Sequence, residues 1–392
     1  MNQPLLLHVV ERLESFASKL PATIQKPILS ELTPLKELFL QQRAPRFLFS
    51  GSGKMPIAQI LATIFPPVTS QRTEDRTTEI YRWQDVHFSD RGTMSIIDAR
   101  GAGDSARNQV QEELKRQPAD IIFFVDEGDA ARGHRKAEIE NLSNCLDWND
   151  STGIKAKLIG ITISSLKRSS SRDHKRNDDA SDESGARLQT ALESKPAIGS
   201  RLVQVFSFSP NQSSAHDFLS ILARELPNEA RIEMIRISGD REAQHQVAQV
   251  LVKSTAAICT AIGAQPIPLA DMPILTTLQL VMVSGIMYVS GRERSLRAAT
   301  EFVGALGANV GVGMLLREGT RALLKFFPGW GNVLCGMVAG AGTYAIGRAA
   351  VVFFLEGASL KDARRAYITS RRPKRPALLG RRRQQKESAR AK

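Results

Sequence analysis

The chain has 392 residues, of which 42% are apolar, and a net charge of +13. This length implies two domains rather than one core, and the apolar content excludes a wholly disordered chain. Three cysteines far apart, with no C-x-x-C, exclude a disulfide framework and a zinc ribbon, and the six histidines form no ligand pair.

Residues 1–42 read as amphipathic helices. Leu5, Leu6, Val9, Val10, Leu13, Phe16 and Leu20 recur at helical spacing, and the absence of a basic leader argues for packing rather than secretion. From 43 to 228 strand and helix signals alternate: "RFLF", "EIYRW", "MSIID", "IIFFVD", "KLIGITI" and "LVQVFSF", the last followed by the helical "AHDFLSILAREL". Such alternation predicts an α/β fold, a mostly parallel sheet with helices on both faces. Residues 167–197 interrupt it. Their first part, "KRSSSRDHKRNDDASDESGAR", is charged and Ser-rich, and predicts a disordered surface insertion.

Within this region, "RFLFSGSGKM" joins an apolar strand to Gly51, Ser52, Gly53 and Lys54, followed by an apolar helix. Strand, Gly-rich turn, lysine and helix N-terminus form the order a phosphate cradle needs, because exposed N–H groups and a positive charge converge on one anion. Two positions depart from the full phosphate-loop pattern: Leu48 stands where its first glycine belongs, and Met55 where Ser or Thr would meet Mg²⁺. About forty-five residues on, "MSIIDARGAGDS" ends a strand at Asp98, with Gly101 three residues later. Between the two, Thr73, Thr77 and Thr78 are candidates for a switch threonine.

These features resemble the Era-like P-loop GTPase domain, best over "IIDARGAGDSARNQVQEELKRQPADIIFFVDEGDAA". The resemblance implies GTP and Mg²⁺ as cofactors. Gly51, Ser52, Gly53, Lys54 and Gly101 would then contact nucleotide, and Asp98 would serve the metal. Family members read D-T-P-G where this chain has Asp98, Ala99, Arg100 and Gly101. The guanine-reading N-K-x-D is replaced by Ile163, Ser164, Ser165 and Leu166, and Ser207 and Ser209 stand where the final base loop would be. The expectation is therefore a degenerate site: a weak nucleotide-binding switch or a pseudo-GTPase scaffold, with hydrolysis left open.

From 229 to 368 strand signals give way to apolar, Gly-rich helices, notably 272–291 and 326–355. Gly307-x-x-x-Gly311 and Gly336-x-x-x-Gly340 predict close helix contacts. Three prolines, Pro266, Pro268 and Pro273, precede the apolar run together with Asp271, which is placed to cap a restarting helix. "STAAICTAIGAQPIPLADMPILTTLQLVMVSGIMYVSG" resembles an uncharacterised helical domain found after bacterial Era-like GTPases. That resemblance implies attachment, peripheral or integral through 272–355, at the cytoplasmic face of the inner membrane.

Residues 369–392 form a basic tail. Positions 371–392 hold ten Lys/Arg against Glu387, which suits membrane lipid or, as an alternative, RNA. Membrane proteins and a second copy of the chain complete the expected partners. A purely structural membrane-helix scaffold is the remaining reading.

Overall fold

The computed structural model describes residues 15, 18, 25–26, 29–32, 42–65, 81–88, 91–101, 104–126, 136–163, 174–208, 215–264, 271–307 and 330–371. Most of the expected 1–42 helices, Thr73, Thr77 and Thr78, Ser209, Gly311 and residues 372–392 lie outside these. The chain divides into an α/β unit, 37–244, and a helical unit built from 1–36 and 245–392.

In the α/β unit, β1 (Arg46–Gly51), β2 (Gln84–Phe88), β3 (Gly92–Asp98), β4 (Ile121–Asp126), β5 (Lys157–Ile163) and β6 (Leu202–Phe208) form one sheet in the order β2-β3-β1-β4-β5-β6. Every pairing is parallel except β2 with β3. Alternation along β1 explains the two-sided cover. Phe47 and Phe49 join Phe123, Phe65 and Phe218 on one face, beside α1 (Ile57–Ile64), with ring centroids 5.0–6.3 Å apart. Leu48 points the other way. It meets Ile97, Ile122 and Phe124 under α2 (Asp104–Arg116) and α3 (Lys136–Asp150).

Two sequence expectations are corrected here. The strand expected at "EIYRW" begins instead at Gln84, since Tyr81 adopts a positive φ of 72° and Arg82 bends the chain. The expected disordered insertion contains a helix, α4 (His174–Glu193), and a short α5 (Pro196–Gly199). Although the first turns of α4 are polar, Leu188 and Leu192 are fully buried, packing near Gly160 of β5.

After β6, α6 (Ala215–Glu225) covers the aromatic face through Phe218. The α/β unit extends past the expected boundary at 228 to include α7 (Asn228–Ser238). Residues 232–237 of α7 are all buried, and its Glu229 carbonyl accepts from the Arg43 N–H at 3.0 Å. Burial on every side makes α7 part of this core rather than a start to the next.

The helical unit comprises α8 (Arg241–Gly263, its first turn in the α/β unit), α9 (Asp271–Val289), α10 (Leu296–Gly307), α11 (Trp330–Ala350), a π-helical turn (Val351–Leu355) and α12 (Leu360–Arg371). Antiparallel α8 and α11 approach closely, as Gly336-x-x-x-Gly340 predicts. A Cβ on Gly336 would lie 2.7 Å from the Thr260 carbonyl, and one on Gly340 1.8 Å from Thr260 Oγ1. Two segments, Arg241–Gly263 and Cys335–Leu355, are long and apolar enough to cross a membrane, and more than half of each is buried inside the unit.

Candidate nucleotide site

β1 lies between β3 and β4, so the crevice at its carboxyl end is a topological switch point, where ligands of open α/β sheets bind. Gly51, Ser52, Gly53 and Lys54 gather there with Asp98 and Gly101, because Phe49 and Asp98 are register partners across β1 and β3. The spacing read from the sequence thus brings the predicted residues to one place.

Their arrangement departs from a phosphate cradle at several atoms. Gly51 remains in the sheet opposite Val125, with φ +103°, and a Cβ there would lie 2.3 Å from the Val125 carbonyl. The Ser52 N–H donates to that same carbonyl at 2.9 Å and is therefore spent inside the protein. Lys54 is exposed, and Met55 and Pro56 separate it from the start of α1 at Ile57. Pro56 brings no N–H. A Cβ on Gly53 would meet the Arg100 and Gly101 backbone only at 3.7 Å, an ordinary contact.

Arg100 fills the centre. Its side chain leans back along the strand end so that Nε donates to Asp98 Oδ1 and Nη2 to Asp98 Oδ2, both at 2.8 Å. Nη1 donates to the carbonyls of Ser52 at 3.2 Å and Met55 at 2.9 Å. The Ser52 and Met55 carbonyls therefore face the Arg100 guanidinium, which satisfies them. Arg100 is only 6% exposed, which makes this an internal fixture. Nearby, burial followed by the negative charge of Asp98 raises the Tyr81 hydroxyl above its ordinary pKa.

The expected Mg²⁺ and nucleotide do not fit these residues as arranged. Both Asp98 oxygens already hold a cation, and Met55 offers no hydroxyl. Among the described residues no group of three His, Cys, Asp or Glu gathers for a metal. Ser207, expected in a base-reading loop, is instead within β6, accepting from Thr162 Oγ1 at 2.9 Å. Gly101 is exposed with φ +66°, a backbone need rather than a steric one.

Arg100 was the residue missed in the sequence. Its signal was present, as a five-donor side chain standing where the resembled family has proline. At the opposite end of the sheet a groove of about 900 Å³ is lined by Arg43, Arg46, Arg82 and Arg116. Asp85, Glu112 and Glu113 share that lining, and Arg43 is clamped bidentately on Asp120, so its charges are balanced.

No family model matches the chain. Magnetosome membrane protein 22 of Magnetospirillum gryphiswaldense is 29% identical over 161 residues, covering 38% of this chain and 81% of that protein.

Proposed function

We propose that this chain is a membrane-associated relative of Era-like GTPases whose α/β unit works as a scaffold, its nucleotide site closed by its own arginine. The observation that carries this reading is the Arg100 guanidinium bound to Asp98 and to the Ser52 and Met55 carbonyls. It occupies the cation position of the site with a covalently attached charge, and phosphoryl transfer depends on a positioned metal and donors. The sheet order, with antiparallel β2 at the edge and the Gly-rich turn after the central β1, supports descent from a P-loop domain. Fold does not impose activity. Membrane attachment is supported by the two apolar helices and by the name of the similar magnetosome membrane protein.

The test is titration of the full chain with fluorescent GTP and ATP analogues, with and without Mg²⁺. The expected result is no saturable binding by the wild type and none by Lys54→Ala. Saturable wild-type binding that Lys54→Ala abolishes would overturn the closed-site reading and restore a nucleotide switch.

A further inference from the structure

At its amino end, the sheet face that Leu48 and Ile97 bury farther along turns polar. Arg46, Ser95 and Asp85 are register partners across β1, β3 and β2, so their side chains stand in one row on that face. All three line the groove of about 900 Å³. Its other wall is α2, where Glu112, Glu113 and Arg116 fall on one stripe. Trp83, half-buried against the core, ties the two walls together by donating its indole N–H to the Glu113 carbonyl at 3.3 Å.

The ion pairing inside this groove leaves charge of both signs unspent. Asp120 holds Arg43 through both oxygens and also accepts from the Arg46 N–H at 3.0 Å. The Arg46 guanidinium makes no hydrogen bond or ion pair among the described residues. Burial, followed by the charge of Arg43, lowers its pKa. Glu112 and Arg116 stand four apart, the spacing of a helical ion pair. Yet the side chains of Glu112, Glu113 and Arg116 make none among the described residues. Asp85 accepts from Ser95 Oγ at 2.5 Å through one oxygen only. A polyanion would therefore meet Asp85, Glu112 and Glu113, and a polycation would meet Arg46 and Arg116. Only a ligand carrying both signs is matched.

We infer that this groove binds a short peptide or a zwitterion of that size, its carboxylate on Arg46 and its ammonium among Asp85, Glu112 and Glu113. A guanidinium suits a carboxylate because two parallel N–H groups meet its two oxygens. Arg46 and Asp85 lie two strand spacings apart, about 10 Å, which is the reach of about three extended residues. The volume lies toward the top of the roughly 300–1,000 Å³ of small-ligand clefts. The groove is at the opposite end of the sheet from Arg100, so this site stands or falls apart from the nucleotide reading.

The test is calorimetric titration of the purified full chain with tetra-alanine, which is charged only at its two ends, and with its N-acetylated and C-amidated forms. The expected result is saturable binding of tetra-alanine, weakened about tenfold by either block, as loss of one charge-assisted contact predicts. Arg46→Gln should weaken tetra-alanine about tenfold and leave the amidated peptide unchanged. Glu112→Gln, on the exposed side of α2, should weaken tetra-alanine and leave the acetylated peptide unchanged. Absence of saturable binding at millimolar tetra-alanine overturns the site. Equal binding of blocked and free peptides overturns the reading of both charges. A loss in Arg46→Gln that falls equally on the amidated peptide overturns the role given to that guanidinium.

Discussion

At the scale of single residues, Gly51 and Gly53 separate two explanations of the same motif. A phosphate cradle needs both, whereas here only Gly51 is pressed, with φ +103° and a Cβ position 2.3 Å from the Val125 carbonyl. Gly51→Ala should destabilise the chain by about 3 kcal/mol or more. Gly53→Ala, at 3.7 Å from its neighbours, should stay within about 0.5 kcal/mol, both read by urea unfolding. Arg100→Met should cost about 2 kcal/mol, since it leaves Asp98 and two loop carbonyls without their donor. Hydrogen exchange at 52–55 should quicken with it. The motif's location was legible in the sequence because a strand, a Gly-rich turn and a strand-end Asp at that spacing must converge in a parallel sheet. The tie of the Ser52 and Met55 carbonyls to Arg100 was not, because backbone orientation leaves no trace in one-letter text. Only the cation that those carbonyls meet, Arg100, betrays it.

Between elements, two joints are informative. Lys157 at the start of β5 donates to Glu225 at the end of α6 at 2.6 Å, and this bond lowers the Glu225 pKa. A carboxylate lowered on folding adds stability above its unfolded pKa of about 4.3, lost as pH falls through the folded value. Lys157→Met should therefore be less stable than wild type by about 0.5 kcal/mol near neutrality, and the gap should close under acid, as thermal melts across pH would record. The second joint is α8 on α11. Gly336→Ala faces the immovable Thr260 carbonyl and should cost about 2 kcal/mol. Gly340→Ala faces the Thr260 hydroxyl instead, so Thr260→Ala should rescue Gly340→Ala and leave Gly336→Ala unrepaired in a double-mutant cycle. Small residues four apart made this contact readable in advance. Helix α4 was unreadable for the opposite reason: its polar first turns, in a charged Ser-rich stretch, masked the two leucines that anchor its last ones.

For the molecule as a whole, the α/β unit runs to 244, past the boundary at 228 that the sequence suggested. Proline at 227 reads as a stop, yet α7 beyond it is buried on every side. Deleting 372–392 offers a test at this scale. On the membrane reading proposed above, flotation with vesicles should persist, while the preference for anionic over neutral vesicles should fall and become less sensitive to salt. Loss of flotation on deletion would instead make the tail the anchor. The Arg100 tie also bears on time. A nucleotide switch is a clock, wound by exchange and run down by hydrolysis over seconds or longer. A loop held by its own arginine, as proposed above, has no such spring. On this reading the chain stores no record of a past event, and a cell could alter its output only by making more of it, removing it, or moving it to another surface.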